Sequence, residues 1–206
     1  MNMTEFAAFS MFAWIGTFTP GPNVAIATAT GVNHGLRAVF PQMLGVPLGF
    51  VLMMWAIGFG GAATILAWPS LFIVMKLAGI LYLLYLAWGL CRSADMADSQ
   101  RMHPMTLAQA VMFQVVNPKT WMMLVAVTTT YAIGHADFAS RMSWMSAGFA
   151  IPCGLSVLTW AWMGDKLRGW LKTGNRLRVF NLCMGVSLAL TAVWMLSLPG
   201  CPGCSQ

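Results

Sequence analysis

The sequence contains very little charge. Eleven Lys or Arg and five Asp or Glu make up 8% of its 206 residues, against about 25% in an ordinary soluble domain. So few charges cannot cover the surface of a water-soluble protein, and 59% of the residues are hydrophobic. The composition therefore predicts an integral membrane protein. The net charge of +6 does not indicate nucleic-acid binding, because most basic residues lie in connections between apolar segments.

Other kinds of functional residue are also scarce. No segment matches the glycine-rich ATP-binding loop G-x-x-x-x-G-K-[ST], so ATP-driven transport by this chain alone is not expected. No Asp or Glu occupies the centre of an apolar segment, which leaves a carboxylate proton relay or an acidic metal site without residues. The first ten residues, MNMTEFAAFS, have no basic region, and we expect a retained span there rather than a cleaved signal. The sequence predicts neither an enzyme nor a bound cofactor.

Six apolar segments are long enough to cross a bilayer, which takes about 20 residues. A helix satisfies its backbone hydrogen bonds within one segment, so the sequence predicts an all-α polytopic membrane protein of six transmembrane helices. The lipid bilayer is then its main surroundings, and homo-oligomerisation is left open. The predicted spans are approximately 6–28, 39–62, 71–91, 107–131, 143–163 and 179–198.

A polar connection near residues 93–104 divides this single transmembrane domain, residues 1–206, into halves of approximately 1–98 and 99–206. Each half contains three predicted spans. An odd number of spans makes the two halves enter the membrane in opposite directions, so the sequence predicts two three-helix inverted-topology repeats.

The distribution of Lys and Arg predicts the orientation of the chain. The second connection contains neither residue, and the fourth contains only Arg141. Basic residues concentrate on the cytoplasmic side of a membrane. We therefore expect a multi-pass protein of the inner (plasma) membrane with both termini outside the cytoplasm. The basic residues of the first, third and fifth connections are Arg37, Arg92, Arg101, Lys166, Arg168, Lys172, Arg176 and Arg178.

The first predicted span is interrupted at TPGPN, residues 19–23. Pro20 and Pro22 lack an N–H donor and clash with the carbonyl group four residues earlier, so each removes a helical hydrogen bond. Gly21 tolerates the extended backbone that a following proline imposes. Asn23 adds a neutral donor and acceptor. A break in the helix is therefore predicted here.

The fourth predicted span carries a similar interruption at VNPKT, residues 116–120. Pro118 should extend Asn117 and free the carbonyl of Gln114. Lys119 is the only charged residue well within a predicted span. A charge at that depth is costly and indicates function, although snorkelling of Lys119 to an interface is the alternative.

A broken helix in lipid must face protein or a water-filled cavity, because unsatisfied backbone groups are costly there. Freed carbonyls and a new helix N-terminus match the ammonium and carboxylate of a zwitterionic amino acid. The two breaks therefore predict a site for a small amino-acid substrate near the bilayer midplane, with simple structural kinks as the alternative. The predicted site residues are Pro20, Gly21, Pro22, Asn23, Gln114, Asn117, Pro118 and Lys119.

The five cysteines leave other functions open. An intramembrane thiol carrier would need two of Cys91, Cys153 and Cys183 to meet, and a metal transporter would need span carboxylates that the sequence lacks. Cys201 and Cys204 form a C-x-x-C pair, for which an incidental tail is favoured over a redox or metal role.

Four segments resemble, in this order, the LysE/RhtB family of amino-acid exporters. They are TPGPN at 19–23, HGLRAVFPQMLGVPLG at 34–49, MKLAGILYLLYLAW at 75–88 and FQVVNPKT at 113–120. The segment 159–181 is similar to the branch that exports cysteine and O-acetylserine. The resemblance implies a secondary exporter that moves amino acids out of the bacterial cytoplasm, using the membrane potential or a proton gradient.

Overall fold

The computed structural model describes residues 2–61, 69–92, 103–171 and 173–197. These residues form helices and their connections, without any strand, which confirms the all-α prediction for the part of the chain described. Cys201 and Cys204 lie outside it, as do Arg101, Lys172 and most of the connection between the predicted halves.

Eight α-helices follow one another along the described residues. They are α1 (Met3–Phe18), α2 (Pro22–His34), α3 (Phe40–Ala56), α4 (Pro69–Arg92), α5 (Leu107–Val116), α6 (Pro118–Tyr131), α7 (Phe138–Leu171) and α8 (Arg176–Ser197). A 3₁₀ turn, Leu36–Val39, leads into α3, and an irregular turn, Ile57–Gly61, follows α3.

Four helical segments are long and apolar enough to cross a membrane. They are Leu36–Gly60, Ile73–Arg92, Phe138–Leu171 and Arg176–Ser197. Helices α5 and α6 together make a fifth candidate, bent by 69° at the break between them. Helices α1 and α2 have only 16 and 13 residues, fewer than the 20 or so that a span needs. The described residues therefore contain four or five candidate spans, where the sequence predicts six.

Helix α7 is longer than the predicted span 143–163. Its 34 residues, at 1.5 Å per residue, make a rod of about 51 Å, whereas the hydrocarbon core is about 30 Å thick. The prediction was too short because it followed the apolar run, and the helix continues through polar residues at both ends. Pro152 lies inside α7 without ending it.

The bundle is organised around α7 and α3. Helices α1, α2, α3 and α8 pack against α7, whereas α5 and α6 pack against α3. Helix α4 packs against α5 and α8. Phe149 of α7 lies at the centre of the core, with its ring centroid 5.4 Å from that of Phe9 and 5.7 Å from that of Phe50.

Glycines bring the helices close together on both sides of this core. A Cβ atom at Gly31 of α2 would collide with the carbonyl oxygen of Ala161 in α7, and one at Gly164 of α7 would collide with that of Thr28. On α3, a Cβ atom at Gly45 would lie 2.8 Å from the carbonyl oxygen of Leu107. Small residues at such contacts allow direct backbone approach, which is a main source of helix association in membranes.

Arg141 ties together three helix ends at one side of the bundle. Its guanidinium donates to Glu5 of α1 (3.2 Å), to Asp137 before α7 (2.7 Å) and to the carbonyl of Tyr131 at the end of α6 (3.0 Å). The hydrogen bond from Arg141 lowers the pKa of Asp137 below its ordinary value. This contribution to stability is present above the ordinary pKa of Asp and is lost as the pH falls through the lowered pKa.

We expect Gly164→Ala to destabilise the protein by about 1–3 kcal/mol. The added methyl group would collide with the backbone carbonyl of Thr28, which cannot move away as a flexible side chain could. Thermal unfolding of the purified protein in detergent measures the effect. Gly169→Ala is the matched control on the same helix, since a Cβ atom there meets nothing within 4 Å. An equal loss of stability in both variants would contradict the role assigned to close α2–α7 packing.

Candidate functional site

The two predicted breaks are present, and each has the same construction. Helix α1 ends at Phe18, and extended residues lead to Pro22, the first residue of α2. Helix α5 ends at Val116, Asn117 is extended, and Pro118 opens α6. A proline at the first position of a helix costs no hydrogen bond, since its missing N–H would have no partner there.

A reciprocal pair of amide hydrogen bonds joins the two breaks. Asn23 donates from Nδ2 to Oε1 of Gln114 (2.9 Å), and Gln114 donates from Nε2 to Oδ1 of Asn23 (3.1 Å). The two residues are 91 positions apart in the chain. The breaks predicted from separate motifs therefore meet in space, through side chains on α2 and α5.

Other polar groups extend this pair into a network. Thr120 donates to Oε1 of Gln114 (3.1 Å), and Gln114 also donates to the carbonyl of Ala110 (2.9 Å). Gln42 of α3 donates to the backbone carbonyl of Asn23 (2.9 Å). Gln42 is 1% exposed and Gln114 is fully buried, so these bonds satisfy polar groups away from solvent.

The backbone at the end of α1 is satisfied by side chains from other helices. Lys119 of α6 donates from Nζ to the carbonyl of Thr19 (2.6 Å), and Ser156 of α7 donates to that of Thr17 (2.8 Å). The predicted free carbonyl of Gln114 is not free, because it accepts a bond from the N–H of Asn117 (3.3 Å). That prediction was wrong because the last turn of α5 closes with a hydrogen bond between residues three apart, so the N–H of Asn117 replaces the donor that Pro118 lacks.

A small cavity of about 30 Å³ lies between the breaks. Five of the predicted residues line it: Gly21, Pro22, Asn23, Asn117 and Lys119. The remaining wall residues are Gly16, Thr17, Val24, Val46, Phe50, Thr120, Met123, Cys153, Ser156 and Val157.

Three predicted residues lie elsewhere. Gln114 is buried in the network described above, and Pro118 lines a separate small cavity with Trp121. Pro20 is exposed on the molecular surface. Its position at the surface reflects the extended backbone of residues 19–21, in which only the second proline is directed into the bundle.

The sequence interpretation missed Gln42, Cys153 and Ser156. Gln42 could have been found, because it is the only amide or charged side chain between residues 39 and 62 and such residues in a span indicate function. Cys153 and Ser156 lie on the continuous helix α7 without any motif around them. Cys91, Cys153 and Cys183 are free thiols, and the described residues contain no group of three or more metal-ligating side chains.

The site combines helix ends of opposite polarity. Helices α2 and α6 begin at it, and helix N-termini carry partial positive charge, whereas α1 and α5 end at it with partial negative charge. Lys119 adds a full positive charge, and Asn23 and Asn117 add neutral amides. Such an arrangement suits a solute that has both an anionic and a cationic group.

Apolar helices of membrane-spanning length, together with helix breaks around a small cavity, are typical of a membrane transporter. The chain belongs to the LysE type translocator family, whose model matches residues 14–198. A translocator moves a solute without changing its covalent bonds, so the protein is a transporter and not an enzyme.

Relatives of named function align with almost the whole chain. The chain is similar to the cysteine/O-acetylserine efflux proteins of Escherichia coli (strain K12) and Shigella sonnei (strain Ss046). Each is 25% identical over 194 residues, which cover 94% of this chain and 98% of the relative. No solved structure is significantly similar to the chain.

We expect Asn23→Ala and Gln114→Ala to be coupled in their effects on stability. Each single substitution leaves the partner amide without its bond, at a cost of about 1–3 kcal/mol. The double variant should lose less than the sum of the two, by about 0.5–3 kcal/mol. Chemical unfolding in detergent micelles measures this double-mutant cycle.

Thr159→Ala combined with Gln114→Ala serves as the control cycle. Thr159 is exposed and donates only to Leu155 of its own helix, so its effect should add to that of Gln114→Ala. Additive effects in the Asn23–Gln114 cycle would mean that the amide pair does not join the two breaks.

Proposed function

We propose that this protein is a secondary exporter of a small amino acid or amino-acid derivative, which it binds between the two helix breaks. The observation that carries the proposal is the meeting of α1, α2, α5 and α6 at one polar cavity, joined by the Asn23–Gln114 pair. Alternating access around that cavity would carry the substrate from the cytoplasm to the other side of the membrane.

The helix ends match the two charges of a zwitterion. The carbonyl groups of Thr17 and Thr19 at the end of α1 can accept hydrogen bonds from a substrate ammonium. The N–H groups at the start of α2 can donate to a carboxylate, which half-helix N-termini commonly receive in transporters. At the start of α6 the N–H groups of Lys119 and Thr120 already donate to Asn117. Lys119 supplies a second, charged partner for the carboxylate.

The cavity is too small for an amino acid in the described conformation. Its volume of about 30 Å³ is far below the roughly 300–1,000 Å³ of pockets for drug-sized ligands, so an amino acid can enter only after the helices separate. The similar cysteine/O-acetylserine efflux proteins support cysteine or O-acetylserine as the first substrates to test. Either molecule is a neutral zwitterion with a short side chain.

Six spans and an inverted repeat account best for the helix packing. If α1 with α2 forms the first span and α5 with α6 the fourth, the first packs on the fifth (α7) and sixth (α8). The fourth packs on the second (α3) and third (α4) in the same way. An exchange of the two halves preserves these neighbours, as a pseudo-two-fold axis in the membrane plane requires.

Local motifs support the same repeat. VPLG at 46–49 of α3 is matched by IPCG at 151–154 of α7. A Cβ atom at Gly154 would lie 3.6 Å from Cγ of Pro47, so the two motifs face each other. Capping boxes open both α1 (Asn2 and Glu5) and α5 (Thr106 and Gln109).

The proposed orientation puts both termini outside the cytoplasm of the inner membrane. Arg141, the single basic residue in the fourth connection, is neutralised by Glu5 and Asp137. The remaining basic residues then favour the cytoplasmic side for the first, third and fifth connections. Helices α2 and α5 would form the cytoplasmic half of the broken spans.

In the described conformation this cytoplasmic half is tightly closed. Ten of the thirteen residues of α2 are buried, against two of the sixteen residues of α1. Helix α2 also approaches α7 through Gly31 and Gly164. Uptake of a substrate from the cytoplasm would therefore begin with the separation of α2 from α7.

The thiol-carrier and metal-transport alternatives are not favoured. Cys91 and Cys183 are exposed, while Cys153 is buried in the cavity wall. Membership of a translocator family accounts for the polar cavity without redox chemistry. Replacement of all five cysteines by serine tests the thiol alternative, since an exporter should retain amino-acid efflux.

Bacterial cells that express the protein and are loaded with cysteine- or serine-containing dipeptides provide the direct test. We expect faster appearance of the corresponding amino acid in the medium than from cells with an empty vector. If no amino acid among a full set of dipeptides leaves faster, the proposed function is wrong.

We expect Pro118→Ala and Pro22→Ala to reduce export by roughly tenfold or more at unchanged membrane abundance, because small misplacements of binding groups are costly. Pro20→Ala is the matched control, since Pro20 is exposed and does not line the cavity. If Pro118→Ala, Pro22→Ala and Pro20→Ala all export at the same rate, the result would favour structural kinks over a substrate site.

A further inference from the structure

Lys119 caps a helix to which it does not belong. Its ammonium lies 2.6 Å from the carbonyl oxygen of Thr19, the C-cap residue of α1. Helix α1 has no basic residue in its own last turn, although cations stabilise helix C-termini. The cation that this helix end favours is therefore supplied by α6, across the cavity.

Among the residues that the structure describes, no carboxylate forms an ion pair with Lys119. The ion pairs found among the described residues join Arg141 to Glu5 and Asp137, and neither involves Lys119. The side chain passes close to Gly21, where a Cβ atom would lie 3.2 Å from both Cδ and Nζ of Lys119. A glycine at this position leaves room for the ammonium to reach the end of α1.

The ammonium of Lys119 thus occupies the place where the α-ammonium of a zwitterionic substrate would bind. Both groups are primary ammonium cations with three donors, and both seek the same carbonyl oxygens. They cannot share the carbonyl of Thr19 without strong repulsion between two like charges. Binding of one requires departure of the other.

We propose that Lys119 is a built-in substitute for the substrate ammonium, which allows the transporter to close and return when it is empty. This inference rests on the function proposed above. When substrate binds, its ammonium takes the carbonyl groups of α1, and Lys119 turns to the substrate carboxylate. The site carries one net positive charge in both states, because the zwitterion adds none.

The empty transporter needs a substitute for the substrate ammonium because it must close and return without substrate. The carbonyl of Thr19 lies at an exposed part of the break, which within the proposed first span faces lipid, and a carbonyl group without a donor is costly there. Substrate supplies the donor on the outward step, but nothing supplies it on the return unless the protein does. Loss of the lysine should therefore slow the return of the empty transporter more than any step with substrate bound.

Net efflux and exchange separate these steps. Net efflux needs the empty return, whereas exchange of labelled internal for unlabelled external substrate does not. The experiment uses the purified full chain in liposomes loaded with ³⁵S-labelled L-cysteine and a phosphine reductant, with the membrane potential clamped. Loss of label is measured with and without unlabelled L-cysteine outside.

We expect Lys119→Met, which keeps the length of the side chain but removes its charge, to lower the ratio of net efflux to exchange about tenfold or more relative to wild type. Lys119→Arg keeps a cationic donor and should largely preserve the ratio. Lys166→Met is the matched control, because Lys166 is exposed on α7 and does not line the cavity between the breaks.

Three results would overturn the inference. One is an unchanged ratio in Lys119→Met, and another is parallel loss of net efflux and exchange in protein that elutes as folded from size exclusion. If Lys119→Met does not fold, Lys119→Arg decides. A ratio of net efflux to exchange about tenfold below wild type in Lys119→Arg then counts against the inference. Absence of both activities in wild-type protein with every amino acid tested would instead count against the proposed function.

Discussion

The structure depends on one requirement, that backbone broken inside a membrane must find new hydrogen-bond partners. Two helices are interrupted in this protein, and neither could remain so alone in lipid. The amide pair of Asn23 and Gln114 lets each break support the other. Gln42, Ser156 and Lys119 then satisfy carbonyl groups of the first interrupted span. The polar groups that stabilise the fold are therefore also the groups that we propose bind the substrate.

Because the same groups stabilise the breaks and form the proposed site, neutral amides and backbone groups suit both roles. An ionised carboxylate at this depth would be expensive to bury and would hold Lys119 permanently. Carbonyl groups at a helix end attract a cation more weakly, and one cation can replace another there. In the proposed transport cycle, such an arrangement would favour repeated binding and release over tight binding.

Much of this arrangement could be predicted from local sequence. The fourth span was predicted at 107–131, and α5 with α6 covers the same residues, with the break at Asn117. Proline alone does not mark a break here, since Pro22 and Pro118 open helices after a break. Pro47 and Pro152, in contrast, each remain inside a helix. The partners of the breaks could not be predicted, since Gln42 and Ser156 reach them only through the packing of α3 and α7.

The length of α7 has a structural consequence. Near one end its Gly148 lies against Phe9 of α1, near the other its Gly164 lies against α2, and Ser156 holds the carbonyl of Thr17 between them. Helix α7 thus contacts both helices of the first break and the residues near the end of α1. A displacement of α7 would therefore disturb both helices of the first break and the backbone at the end of α1 together.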